Sequence, residues 1–243
     1  MDLPVRIDVI TIFPPMLSGF IGESMLKRAV DNGIVEFRII DPRDFTADAH
    51  RSVDDRPYGG GPGMVMKPEP LCMAVESVAG NETRVVLPTP QGKKFDQRMA
   101  AEFSRERHIV LLCGHYEGVD ERVVEEVVTD EVSIGDYILT NGTLAATVIV
   151  DSVVRLIPGV LGCAGAAEDD SFSTGMLEHP QYTRPVCFRD RVVPDVLMSG
   201  DHEKIKKWRE AEAEKRTRER RPDLLQRIGC EDERQTFGNG RKE

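Results

Sequence analysis

The chain has 243 residues, 40% hydrophobic and 30% charged, and carries a net charge of −10 at pH 7. That length suits one large or two small domains with a sizeable core, and five cysteines with no CxxC pair argue against a disulfide framework or a zinc ribbon. No apolar run approaches the roughly 20 residues of a membrane span, and the amino end lacks a basic stretch followed by an apolar one, so a cytoplasmic protein without signal peptide or membrane partner is expected.

Residues 5–12 (VRIDVITI) read as a buried strand, stopped by Pro14-Pro15. A helical pattern follows, with Met16, Phe20, Met25, Leu26 and Val30 spaced for one face and Asn32-Gly33 ending it. Residues 34–40 form a second strand, and then a long polar stretch runs to Gly63 through Gly59, Gly60 and Gly61. A loop of that length inside a compact domain is usually functional. Three strand–loop–helix units come next: strand 84–87 with PTPQGKK and a helix over 95–105; strand 108–113 with GHYEG and a helix over 119–127; strand 131–134 with GDYILTNG and a helix over 144–156. Strands alternating with helices predict an α/β domain with a mainly parallel sheet. In such sheets ligands bind past the carboxyl ends of the strands, which directs attention to those three loops.

Pro158 and Gly159 end the last helix, and the small-residue segment GVLGCAGAAEDD reads as a linker. The expected organisation is an α/β domain over 1–160, a flexible linker over 161–171 and a small helical domain over 172–243, with helices at 194–198 and 201–220 and a frayed tail from Ile228. Charge is uneven: residues 1–171 hold 16 Lys/Arg against 28 Asp/Glu, whereas residues 172–243 hold 16 against 14. A basic face in the carboxyl part is therefore masked by the acidic average.

Generic motifs are mostly absent. GGGPG is not GxGxxG, QGKK lacks the rest of a phosphate loop, and the five histidines form no HExxH or metal spacing. His50, His108, His115, His179 and His202 are read as surface or satisfied polar groups. No Ser-His-Asp set can be assembled by spacing. The three loops, rich in Pro and Gly, can present backbone N–H and C=O groups to an adenine or a ribose; ordinary tight turns are the plainer alternative.

The strings IDVITIFP (7–14), DDRPYGGGPGM (54–64), LPTPQGKKF (87–95), LLCGHYEGVDERV (111–123), SIGDYILTNG (133–142), DSVVRLIPGVLG (151–162) and EDDSFSTGMLEHPQYTRP (168–185) together resemble one family, over roughly residues 1–220. It is that of the bacterial tRNA (guanine-37, N1)-methyltransferases of the SPOUT class. The resemblance implies a trefoil-knotted cofactor site, which general rules of chain connection argue against. It also implies S-adenosylmethionine as methyl donor, tRNA as substrate, a magnesium requirement, and a homodimer whose active sites are shared between chains.

Carried over residue by residue, Pro88, Thr89, Pro90, Gly114, Ile134, Gly135, Asp136, Tyr137, Ile138 and Leu139 line the cofactor, and Glu117 lies by the target guanine. Tyr182 and Arg184 of YTRP are placed with the substrate. The family's general base falls on Asp170, with Asp169 as rival; a solvated acidic run capping a helix at Ser171 or Ser173 is the alternative. Arg155 falls where a guanidinium steadies guanine O6; its alternative is a cation at a helix C-terminus. The chain reads Thr140-Asn141-Gly142-Thr143-Leu144 where the family usually reads TGGEL. Competing functions are a SPOUT enzyme for another RNA position, a nicotinamide oxidoreductase, disfavoured by the missing GxGxxG, and a non-catalytic tRNA-binding module, which would have no need of Arg155 and Asp170.

Overall fold

Each short apolar run of the first 160 residues becomes a strand of one sheet. The computed structural model describes residues 3–162 and 170–225, and the chain divides into two compact units, Met1–Ala164 and Gly165–Glu243. In the first unit, β1 (Val5–Ile10) is followed by α1 (Pro14–Ile21), α2 (Ser24–Asp31), β2 (Val35–Ile40), a 3-10 turn at Pro42–Phe45, and the two-residue strands β3 (Asp54–Asp55) and β4 (Val65–Met66). Then come α3 (Pro68–Glu76), β5 (Arg84–Lys94), α4 (Gln97–Phe103), β6 (His108–Leu112), α5 (Glu121–Val127), β7 (Asp130–Ser133) and α6 (Gly142–Val154). The main sheet has the order β2-β1-β6-β5-β7, and every pairing in it is parallel.

A parallel sheet buried on both faces needs apolar residues at consecutive positions, and alternation then sends neighbours to opposite sides. Val9, Val86, Ile109 and Leu111 join one cluster with Leu17, Phe103, Ile149 and Val153. Ile10, Val85, Leu87, Val110 and Leu112 join the other with Leu71, Met66 and Val123. One charge is buried with them: the Asp8 carboxylate is wholly inaccessible. Its Oδ2 accepts from Arg6 Nη2 at 2.7 Å and pairs with His108 Nε2 at 2.8 Å, while His108 Nδ1 meets Thr83 Oγ1 at 2.8 Å. Burying a carboxylate is tolerable only with such partners. His108 is thus the satisfied polar group expected, with both ring nitrogens partnered.

Three local readings are corrected. The single helix expected through Met16–Val30 is two helices, broken at Gly22-Glu23. The break resets the helical phase, so Leu17, Leu26 and Ala29 are buried while Met16, Phe20 and Val30 are exposed. Helix α3 lies where no element is expected; its Pro68 and Pro70 sit in the first turn, where no backbone N–H is required. Strand β5 does not stop at Leu87. It continues to Lys94, with its pairing to β7 interrupted between Pro88 and Lys93, because prolines cannot donate to the ladder.

In the second unit a hairpin of β8 (Cys187–Phe188) and β9 (Arg191–Val192) precedes α7 (Asp195–Met198) and α8 (His202–Arg220). Arg189 and Asp190 turn the hairpin with φ of 48° and 62°, the left-handed pair of a tight two-residue turn. Asp201 caps α8 by accepting from the Lys204 N–H at 3.1 Å. Of the expected linker over 161–171, residues 163–169 lie outside the described residues, as does the expected frayed tail from Ile228.

Candidate active site

Of the three loops, the first lies within β5, past its segment 84–87, and the second and third follow β6 and β7, all three strands being neighbours in the sheet. Together they wall a cavity of about 450 Å³, within the range of small-molecule sites. Pro88, Thr89 and Pro90 line it from the first loop, Gly114 and Glu117 from the second, and Ile134, Gly135, Tyr137, Ile138 and Leu139 from the third. Asp136 is exposed and does not line it. Gln91, His115, Tyr116, Asn141 and the first turn of α6 at Ala145 also line the cavity. Reading loops as strings could have extended to Gln91 and Asn141; Ala145 comes only from how α6 packs.

The loops are held by close backbone crossings. A Cβ on Gly92 would lie 2.2 Å from the Val132 nitrogen and 2.3 Å from the Glu131 carbonyl carbon. Only glycine lets the second half of β5 cross β7 there. At the start of α6 the Gly142 N–H donates to the Gly114 carbonyl at 2.8 Å, tying the third loop to the second. Ser133 Oγ donates to the Gly135 carbonyl at 3.1 Å, which fixes the entry to the third loop.

The replaced TGGEL positions have local roles. Asn141 caps α6 by accepting from the Thr143 N–H at 2.9 Å. Thr143 is buried, with its hydroxyl 2.9 Å from that of Thr11. A hydroxyl pair thus fills the position where the family usually has a carboxylate. Beneath it Cys113 is buried, and that burial, only partly offset by a hydrogen bond with Thr143, pushes its thiol up to about 12. Such a thiol is no nucleophile at neutral pH.

The Gly-rich stretch docks on the second loop. Glu117 N–H donates to the Met64 carbonyl and Met66 N–H to that of Gly118, both at 3.0 Å. The Glu117 side chain lies directly against Gly63. Burial, reinforced by the Asp54 carboxylate, holds the Tyr116 phenol above its ordinary value. His115 meets Phe13 edge-on and Tyr116 at a tilt, with centroids at 5.0 and 4.3 Å, and its Nδ1 is buried without a hydrogen-bond partner. It is a cavity wall rather than the surface or satisfied group expected.

The two candidates for the chemistry lie away from these loops in the chain. Arg155 is the C-cap of α6 and half-buried, and it does not line the cavity. The 13 residues of α6 separate it from the cavity-lining helix start by about 20 Å at 1.5 Å per residue. Asp170 begins the described part of the second unit, half-buried, with its carbonyl accepting from the Ser173 N–H at 3.1 Å. Its rival Asp169 lies outside the described residues. Ser171 accepts from the Glu178 N–H at 3.1 Å and closes a local turn rather than capping a helix. Tyr182 and Arg184 line a second, smaller cavity within the second unit. Among the described residues no group of three or more His, Cys, Asp or Glu could hold a metal ion, and no helix is long and apolar enough to cross a membrane.

A family model described as tRNA (Guanine-1)-methyltransferase TrmD matches residues 5–227. A tRNA (guanine-N(1)-)-methyltransferase of Geobacillus kaustophilus is 56% identical over 223 residues, covering 91% of each chain. Another of that name from Listeria welshimeri is 52% identical over 237 residues, 96% of this chain and 97% of its own. One from Bacillus cereus is 55% identical over 225 residues, 91% and 92% of the two chains.

Proposed function

The chain belongs to the tRNA (guanine-1)-methyltransferase family, and from that premise we propose that it transfers a methyl group from S-adenosylmethionine to N1 of guanine 37, beside the anticodon. Methylation of guanine N1 in tRNA is the activity its relatives' names carry. The observation that carries the reading to this chain is the cavity built from all three motif loops at the ends of adjacent parallel strands.

The donor, when bound, supplies an electrophilic methyl group on a sulfonium. The cavity suits its adenosine end: irregular backbone at 88–91, 114–118 and 134–141 offers donors and acceptors beside apolar Leu87, Ile134, Ile138 and Leu139. Guanine N1 carries a proton at neutral pH and attacks poorly until it is removed. Asp170 accepts that proton as general base. Negative charge then grows on guanine O6, where the Arg155 guanidinium holds it. Glu117, fixed against Gly63 at the cavity wall, borders the target base. The described residues offer no carboxylate cluster for magnesium, and no step is assigned to it.

The position of Arg155 supports a homodimer with shared sites. On α6, Leu144, Val148, Asp151 and Arg155 fall within about 60° of one another at 100° per residue. Leu144 and Val148 are 48% and 46% exposed, an apolar stripe that a second copy would cover. Arg155 ends that stripe, about 20 Å from its own cavity start and on the face turned toward a partner. On this reading it serves the partner's cavity. The crossings at Gly92 and at Gly142 support a knotted path through the loops, and a tRNA substrate implies a cytoplasmic enzyme.

Labelled S-adenosylmethionine with tRNA transcripts bearing guanosine or adenosine at position 37 tests the proposal. Incorporation only with guanosine 37, recovered as N1-methylguanosine, is expected. Label independent of that base would overturn the positional assignment.

A further inference from the structure

The second unit holds its own cavity, of about 320 Å³, between the strap His179–Val186 and helices α7 and α8. That volume sits at the low end of small-molecule sites, about 300–1,000 Å³, room for one nucleotide and not two. Resting on the tRNA reading above, we propose that this cavity is a subsite for one unstacked nucleotide of the tRNA, other than the guanine that is methylated.

Three features of the wall point to that occupant. The first is aromatic. Tyr182 stands at the cavity 49% exposed, although its ring lies 6.2 Å from that of Trp208, with His179 at 6.5 Å on the same indole. Such a platform suits stacking of a base freed from its neighbours, the usual way proteins read single-stranded RNA. The second is apolar: Leu197 of α7 and Ile205 of α8 form the floor, a surface for a flat ring rather than for a hydrated ion.

The third is charge. Arg184 and Arg209 both line the cavity and no Asp or Glu does. Among the described residues neither arginine is in an ion pair, whereas Lys204 and Arg218 of α8 are paired with Asp201 and Glu214 at 2.9 and 2.5 Å. In a chain of net charge −10, a doubly cationic, acid-free cavity selects an anion, and two guanidinium forks suit a phosphate. The cavity also lacks any carboxylate to play the part proposed for Asp170, which separates this nucleotide from the methylated one.

Trp208 is the only tryptophan in the chain and reports on the cavity from behind Tyr182. The experiment titrates the full chain, without methyl donor, with tRNA transcripts carrying a single abasic site at each nucleotide of the anticodon arm in turn. Intact tRNA is expected to change Trp208 emission saturably. One abasic position other than the methylated guanine should abolish that change and weaken binding about 5- to 100-fold. Tyr182→Ala should show the same loss with intact tRNA and no further loss with that abasic tRNA, while Tyr182→Phe binds as wild type. Arg209→Gln should lower the salt dependence of binding by about one phosphate contact. An emission change that survives every abasic substitution overturns the proposal, as does wild-type binding by both Tyr182→Ala and Arg209→Gln. Should Tyr182→Ala misfold, the abasic series on the wild type and Arg209→Gln decide. The tRNA reading is scored separately, by N1-methylguanosine in digested product: its absence beside a base-dependent Trp208 response would count against methylation and not against the subsite.

Discussion

The two cavities are made of different material. That of the first unit is walled largely by backbone, with prolines and glycines at the turning points and Gly92 and Gly142 at the crossings. That of the second unit is walled by side chains, with a tyrosine, two arginines and a few aliphatics on the strap His179–Val186 and two helices. Where backbone crosses backbone, as at Gly92, neighbouring side chains can be exchanged but a single Cβ cannot be added. A site made of side chains has the opposite sensitivity. On the proposed reading the same contrast divides the labour: the first unit holds the methyl donor and supplies Arg155, and the second supplies Asp170 and a further surface for RNA.

The sharpest way to break that division is Asp170→Asn. It keeps the size of the side chain but cannot accept a proton, so methyl transfer should fall about 10²–10⁴-fold. Binding of S-adenosylmethionine, followed by calorimetry, should barely change. A variant at full rate, or one whose only defect is lost donor affinity, would remove Asp170 as the base.

Mixing chains sharpens the comparison next. Gly114 has room for a side chain, since a Cβ there meets only Val119 at 3.5 Å, so Gly114→Leu should fold and fill the donor cavity. Arg155→Ala should lower the rate about 10²-fold or more by itself. Neither variant alone is expected to turn over at a useful rate. If Arg155 serves the partner's cavity, each mixed dimer regains one complete site, and random exchange restores about a quarter of wild-type activity. Verified subunit exchange with no recovery would show instead that Arg155 works with its own cavity.

The backbone character of the first site makes Gly92→Ala severe for so small a change. The added methyl has to displace β7 backbone, at a cost of about 3 kcal/mol or more in stability, as overpacking of a rigid contact does. Thermal melting with and without donor measures it. A variant as stable as wild type would mean that the crossing is looser than its distances indicate.

The smallest effect is electrostatic. Asp130 accepts from Arg84 Nε and Nη2 at 2.8 and 2.9 Å. Burial raises its pKa, but the Arg84 and Thr129 hydrogen bonds outweigh that, and the carboxyl is held below its ordinary value. Its contribution is therefore complete above the unfolded value near 4 and fades as pH falls through the lower folded value. Asp130→Asn should cost about 1–2 kcal/mol at pH 7 and flatten the acid limb of the stability profile below about pH 4. Urea melts at pH 7 and pH 3 compare the two proteins, and parallel acid limbs would count against the Arg84–Asp130 pair.

Much of the architecture is legible in the chain itself. Apolar runs such as Val5–Ile10 and His108–Leu112 can only be buried strands, and their alternation with helices leaves a parallel sheet as the economical solution. The motif strings locate three loops and name most of the cavity wall, because Pro and Gly cluster where backbone must turn and approach closely. Packing decided the rest. Helix phase across the Gly22-Glu23 break depends on which faces meet the sheet, so Met16 and Phe20 came out exposed. His115 became a wall because Phe13, from a distant part of the chain, arrives edge-on beside it. That Arg155 lies at the far end of α6 from its own cavity, and that Tyr182, Arg184 and Arg209 share a pocket, are consequences of distance in space. Spacing along a sequence carries such distances only within one helix or strand; between elements, only the tertiary structure sets them.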